Sequence, residues 1–439
     1  MALLPPHLAL PIAWDTYAAH LDEGAFLWRQ RMRALVGPDY VLDEMAELEG
    51  RLLAHVDALV LGGRKVAARV LVPALGLHDD AGVVAAATLA LLMQEDSATE
   101  SIESILQHIL EGDEATCMAL RPALSLAGTE SMKQRLLPLL DSATTPAFLT
   151  KTVLDILGAW RVDPGPVLQP LLTHEEPGIR AAAFRCVRPY PSRLSDEVLR
   201  WGLRSSLPEV SDSALEAGLI AGMQRAWHEC RRQVETRDSS PELALQALAI
   251  MGGPTGQALV LAALKDPRRQ KHALHALGLL GTLDAAEAAL SFMKTDELAP
   301  LAAEAFSTVT GWSVTPSGTG TEPQAMGTTE APSEPKPKDD LPHPNAAQAE
   351  HWWQTQGRRF ERTQRYVLGR PFGQETLLSA LRESSMYRRR SLALVLALRT
   401  RGECVVDPNA WARDQHAQWE SARRAPSTRF LRSLEALHG

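Results

Sequence analysis

At 439 residues, with 45% apolar residues but only 5% aromatics, the chain is long for one ordinary domain and suits a repeat array with appendages. A net charge of −8 excludes a uniformly basic nucleic-acid binder, which needs a basic stripe. No run approaches the roughly 20 apolar residues that a membrane span requires.

Ala and Leu dominate the apolar set, Val and Ile are sparse, and strand-like alternation is hard to find, so the fold is expected to be all-α. Met1 to Trp14 is apolar but has no positive n-region and is broken by Pro5, Pro6 and Pro11, which makes it a poor signal peptide. Cys117, Cys186, Cys230 and Cys404 lie far apart with no C-x-x-C pair, which suits a reducing compartment; Cys186 sits in an apolar stripe as a core residue. Together these features predict a soluble, cytoplasmic protein.

Residues 1–63 read as an N-terminal helical cap. A first amphipathic helix, Thr16 to Val36, carries Leu21, Phe26, Leu27, Trp28 and Leu35; Gly37-Pro38-Asp39 marks a turn. A second helix places Leu42, Met45, Leu48, Leu52, Val56 and Leu59 on one face before Gly62-Gly63 stops it.

Residues 64–313 repeat a pattern of two small residues three apart, followed by a helix-ending Gly. Ala214, Ala217 and Gly222 are followed by Ala244, Ala247 and Gly252, then Ala273, Ala276 and Gly281, then Ala302, Ala305 and Gly311 with one residue of slip. The spacings are 30, 29 and 29 residues. Upstream, the same face recurs at Ala183, at Val153 with Gly158, at Ala123 with Gly128, and earlier at Ala87 and Ala90. A period near 30 predicts stacked helical pairs, and Ala-x-x-Ala puts both small side chains where a partner helix approaches closely. The clearest single copy has Leu168, Leu171 and Leu172 on a first helix, then Glu176-Pro177-Gly178-Ile179-Arg180 and Ala181-Ala182-Ala183-Phe184. This resembles the HEAT repeat, whose second helix often opens with Asp-Pro-x-Val-Arg before alanines. Asp266-Pro267 and Leu207-Pro208-Glu209-Val210 echo that turn, although Ser211 stands in place of the Arg. The expected architecture is therefore a HEAT-like α-solenoid.

Residues 314–345 are rich in Pro, Gly, Ser, Thr and charge, and read as a disordered, flexible linker. Residues 346–439 read as a basic helical region, with 16 Arg, no Lys and 9 acids. Trp352, Trp353, Phe360 and Tyr366 are expected on one helix there, Leu377 to Leu381 and Leu392 to Leu398 on others, with a turn at Asp407-Pro408-Asn409 and a short basic final helix.

Catalytic motifs are missing: there is no G-x-S-x-G, H-E-x-x-H, phosphate-binding loop or dinucleotide fingerprint. His272 and His275 have a spacing that could share a metal, but no acid or Cys is expected to complete the set nearby, and His228 with Cys230 is weaker still. Asp79-Asp80, Glu111 with Asp113-Glu114, and Glu175-Glu176 suit helix starts. No catalytic residue, cofactor or metal is expected. Arginines 358, 359, 362 and 365 recur among aromatics, a combination that can hold single-stranded nucleic acid, but Glu361, Glu375 and Glu383 interrupt the stripe. A contact between this basic region and acidic repeats is the competing expectation.

Several stretches resemble an uncharacterised family of proteobacterial HEAT-repeat proteins: His20-Leu21-Asp22-Glu23-Gly24-Ala25-Phe26-Leu27-Trp28; Leu48-Glu49-Gly50-Arg51-Leu52 with His55 and Asp57; Ala303-Glu304-Ala305-Phe306-Ser307 with Thr310-Gly311; and Trp352-Trp353 with Arg359-Phe360, Arg365-Tyr366 and Gly369. Gly24 and Gly50 depart from that pattern, standing where helix-favouring residues are expected. The family has no established activity, and its genes often lie near components of type VI secretion. The resemblance implies a non-enzymatic scaffold that binds an effector or spike protein as adaptor or chaperone. An immunity protein capping a toxin is the close alternative, a nucleic-acid-binding HEAT-like protein a further one, and a helical-repeat lyase the last. Partner-binding candidates are the usual hot-spot types, Trp28, Arg31, Trp352, Trp353, Arg359 and Tyr366, each with a competing reading as a packing residue.

Overall fold

Ala- and Leu-rich segments with three- and four-residue apolar spacing form helices along most of the described residues, where the fold is all-α with one two-residue ladder. The structure, a computed structural model, describes residues 12–94, 98–142, 144–236, 242–314, 341–424 and 430. The expected linker falls mainly in 315–340, outside the described residues, as does the chain start through residue 11. No helix among the described residues is long and apolar enough to cross a membrane. Contacts divide the chain into two units, the first within Met1–Met32 and Glu47–Pro164, the second within Arg33–Ala46 and Gly165–Gly439.

The first unit draws on α1 (Trp14–Ala34), α2 (Leu42–Leu61), α3 (Gly63–Val66), a π-turn (Ala67–Leu71), α4 (Val72–Ala74), α5 (Ala81–Leu92), α6 (Ala98–Glu111), α7 (Glu114–Leu126), α8 (Glu130–Leu136) and α9 (Ala147–Ala159). In α2 all six apolar positions named from spacing are buried. In α1 Leu21, Leu27 and Trp28 are buried but Phe26 is exposed, because Leu21, Ala25 and Trp28 make the stripe and Phe26 falls beside it. Gly24 lets α1 approach α5: a Cβ there would stand 3.3 Å from Ala86 Cβ. The pattern-bearing helices α5, α7 and α9 pack in series. Ion pairs Arg121–Asp155 (2.8 Å) and Lys151–Glu114 (2.7 Å) tie α7 to α9.

The second unit continues with α10 (Leu168–Leu172), α11 (Pro177–Val187), α12 (Asp196–Leu203), α13 (Pro208–Ile220), α14 (Gln224–Thr236), α15 (Glu242–Met251), α16 (Gly253–Ala263), α17 (Gln270–Leu280), α18 (Leu283–Phe292) and α19 (Ala299–Thr310). Pro177 and Pro208 open α11 and α13 at the first turn, where a missing N–H costs nothing. The paired alanines of α13, α15, α17 and α19 are all buried, and α11, α13, α15, α17 and α19 pack in series, each against the next. Side-chain bonds also link positions about one period apart: Arg225 to Asp196 and Gln246 to His275 span 29 residues each, and Gln257 to Asp284 spans 27. Cys117, Cys186, Cys230 and Cys404 are buried and none is in a disulfide; burial pushes the Cys117 thiol up to about 11.

The C-terminal part of this unit holds α20 (Ala346–Gln356), a 3-10 turn (Gly357–Arg359), β1 (Tyr366–Val367), β2 (Arg370–Pro371), α21 (Gln374–Glu383), α22 (Met386–Thr400) and α23 (Ala412–Arg424). β1 and β2 pair antiparallel, Tyr366 with Pro371 and Val367 with Arg370. This corrects the expectation of one helix from Trp352 to Tyr366, since helix stops at Gln356. The reason is tertiary. Tyr366 N–H donates to Gly281 O (2.6 Å), Leu368 N–H to Thr308 O (2.8 Å) and Gly369 N–H to Val309 O (2.9 Å), closing the ends of α17 and α19. A helix would have kept those donors to itself. Gly281 and Gly311 end α17 and α19 with φ of +67° and +74°, and a Cβ on either would run into the carbonyl of Tyr366 or Leu368.

Candidate partner-binding site

The six candidate residues fall into two places. Trp28 and Arg31 lie in the first unit and are both buried. Arg31 Nε donates to Glu49 Oε1 at 2.8 Å, and its guanidinium sits 5.7 Å from the Trp28 ring. The two residues are part of the packing of α1 with α2 and offer no surface.

Trp352, Trp353, Arg359 and Tyr366 come together in the second unit. Phe306, buried on α19, is the hub: its ring centroid lies 5.5 Å from Trp353, 5.9 Å from Trp352 and 5.8 Å from Trp312, each edge-to-face. Trp353 continues to Phe360 at 5.6 Å and Phe360 to Tyr366 at 4.9 Å. The edge-to-face contacts, those of Phe306 and that of Phe360 with Tyr366, place the positive ring edge on a negative face and add about 0.5–1.5 kcal/mol each beyond burial. Tyr366 and Phe360 are buried, Trp352 and Trp353 half-buried, and Arg359 exposed. Arg359 lies over Trp352 (5.3 Å) and Phe360 (4.9 Å) and reaches Thr310 O at 3.4 Å. Tyr366 Oη accepts from Glu361 N–H at 2.8 Å, which fixes the intervening turn. The outer edge of the cluster is therefore a pair of tryptophans and one arginine on a rigid base.

Arg365 anchors this base and was not singled out as a site residue from sequence. Its guanidinium donates to Leu280 O (2.8 Å), Leu279 O (2.7 Å), Ile250 O (3.1 Å) and Ala249 O (3.1 Å), gathering the last carbonyls of α15 and α17. Burial, with repulsion from Arg399, pulls its pKa down to about 9, so it stays charged at neutral pH. Cations favour helix C-termini, which compensates the burial. Arg399 reaches Ile250 O, and both arginines stack on Phe372. The sequence signals were the Arg365-Tyr366 dipeptide and the place of Arg365 in the arginine run among aromatics.

The basic region meets acids of α18 and α19 directly. Arg362 pairs with Asp284 (2.6 Å) and Glu287 (3.1 Å), and Arg388 with Glu304 (2.6 Å). A small cleft beside the last pair is lined by His275, Glu304, Thr308, Tyr387, Arg388 and Ser391. His275 Nε2 lies 2.7 Å from Ser391 Oγ, and its Nδ1 lies 3.3 Å from Gln246 Nε2 and 3.6 Å from Glu242 Oε1. Burial, then Glu304 and Glu242, push Tyr387 up to about 12, so its phenol keeps its proton. Ser391 sits in the middle of α22, where its N–H belongs to the helix ladder. It cannot supply the backbone donor that an acyl-transfer site builds beside its nucleophile. The cleft is a polar joint between α22 and α17. Among the described residues no three or more His, Cys, Asp or Glu side chains converge as a metal site.

No protein-family model matches the chain, and no curated protein matches it either.

Proposed function

We propose that the chain is a HEAT-like repeat scaffold that binds one protein partner, and that it serves as a cytoplasmic adaptor or chaperone for a type VI secretion effector or spike component. The observation that carries the binding reading is the Trp352–Trp353–Arg359 edge. Two half-buried tryptophans and an exposed arginine stand on a buried aromatic base, the residue types and setting that dominate protein interfaces. The serial packing of α11, α13, α15, α17 and α19 about a 30-residue pattern supports the HEAT-like reading. The secretion role rests on the family resemblance of the motif stretches alone.

The location of the basic charge favours a protein partner over a nucleic acid. Arg362 and Arg388 pair with acids, while Arg365, Arg389 and Arg399 are turned into the fold. Arginines held this way are not available to neutralise a phosphate backbone.

The test is an affinity capture of the full-length protein from its native cells with and without nuclease, beside Trp352→Ala and Arg359→Ala variants. One effector or spike protein recovered in near-equal amount, insensitive to nuclease and lost with the variants, is expected. A diffuse set that disappears with nuclease would overturn the reading. Neutralisation of a toxin on co-expression would replace the adaptor role with immunity.

A further inference from the structure

Two histidines from separate motif stretches meet in the first unit. His20 of α1 and His55 of α2 are 35 residues apart in sequence, yet their Nδ1 atoms lie 3.0 Å apart. The ring centroids are 5.1 Å apart and the planes tilted by 59°. Both side chains are half-buried, so the pair is reachable by small solutes.

In this contact one Nδ1–H donates to the other ring's lone pair. A second arrangement needs little movement. With metal–nitrogen bonds of about 2.0–2.1 Å, two nitrogens in a tetrahedral shell stand about 3.3 Å apart. The observed separation is within a few tenths of an ångström of that edge. Once the donating ring carries its proton on Nε2 instead of Nδ1, the broad imidazole torsion about Cβ–Cγ lets a modest rotation of each ring turn both Nδ1 lone pairs onto one point. Imidazole nitrogen selects borderline transition cations over Mg²⁺ or Ca²⁺, which take oxygen.

We propose that His20 and His55 form a two-histidine seat for a divalent cation of the zinc and copper class. Water completes the shell, since no third His, Cys, Asp or Glu joins the pair among the described residues. The bound ion staples α1 to α2. His272 and His275 make a useful contrast. Their Nδ1 atoms both lie on Glu242, at 3.4 and 3.6 Å, and His275 Nε2 is engaged by Ser391. Those nitrogens already have partners, whereas His20 and His55 face each other.

The experiment uses untagged full-length protein stripped with a chelator and titrated with Zn²⁺ and Cu²⁺ by calorimetry, with thermal melting alongside. One saturable equivalent per chain and a rise in melting temperature are expected. Both should be lost in His20→Ala and in His55→Ala, and kept in the His272→Ala, His275→Ala double variant. Binding that is unsaturable, or unchanged by both His20→Ala and His55→Ala, overturns the proposal. Should those variants fold poorly, electron paramagnetic resonance of the wild-type Cu²⁺ adduct decides: hyperfine structure from two imidazole nitrogens supports the seat, and a spectrum without nitrogen coupling overturns it.

Discussion

Replacing Arg31 or Glu49 alone should damage the first unit more than replacing both. Arg31 Nε and Glu49 Oε1 are 2.8 Å apart, with side chains 2% and 5% exposed. At an effective dielectric constant near 20 that separation gives a gross attraction of about 6 kcal/mol. Stripping water from both ions costs several kcal/mol each, so the net worth of the pair is near zero. Removing one partner is different, because the other stays buried and loses this counter-charge, at about 3–5 kcal/mol. Arg31→Met also loses the contact with Trp28, roughly 0.5–2 kcal/mol. Arg31→Met and Glu49→Leu combined should return to within about 1 kcal/mol of wild type, giving a coupling energy of about 5 kcal/mol or more. A chain with two units need not unfold in one transition, so the assay is hydrogen exchange across α1 and α2 in urea, with circular dichroism beside it. Additive single effects under about 1 kcal/mol, as for surface pairs, would refute the argument. So would an Arg31→Met protein of full stability that no longer captures a partner, since that would make Arg31 a contact residue.

Arg365→Lys keeps the charge but cannot fork across the carbonyls of Ala249, Ile250, Leu279 and Leu280, so a loss of about 2–4 kcal/mol is expected. It should appear as faster exchange over residues 360–372 and the ends of α15 and α17; unchanged exchange would count against the anchor. Gly281→Ala must place a Cβ at φ +67° against the Tyr366 carbonyl and should cost roughly 2 kcal/mol or more, whereas Gly50→Ala, with open space around it in α2, should stabilise by about 0.5–1 kcal/mol. Thermal melting should rank the two that way, and the reverse order would contradict the packing described. Contact with His275, then with His272, holds the Glu242 carboxyl below its ordinary value of 4.5. Its stabilising contribution is therefore present above that value and lost as the pH falls through the lower folded value. Glu242→Gln should flatten the acid limb of a stability-versus-pH curve below about pH 4.5, modestly because the group is half-exposed. An unchanged acid limb would rule the contribution out.

Local chemistry made the helices legible. Leu42, Met45, Leu48, Leu52, Val56 and Leu59 can share a face only in a helix, and the buried side of α2 follows from their spacing. The alanine pairs with their closing glycines marked α13, α15, α17 and α19, because small side chains and, at Gly222, Gly281 and Gly311, a left-handed stop are demands that short stretches meet alone. Aromatic and arginine residues were harder. Trp28 and Trp352 look alike in sequence, yet one is buried in α1 and the other stands half-buried at the edge of a cluster. Nothing within a few residues of either separates those fates.

By itself, then, the sequence determined the all-helical class, the faces of the long helices and the 30-residue pattern, since these depend on contacts within a few residues. Tertiary structure alone decided three matters. Residues 360–369 leave the helix to close the ends of α17 and α19; Arg365 gathers carbonyls more than 80 residues earlier in the chain, 85 for Leu280; and His20 meets His55 across 35 residues. For the first two the reason is the same. A helix end leaves carbonyls unsatisfied, and which distant donor answers them depends on where packing brings the chain back, something local propensity does not encode.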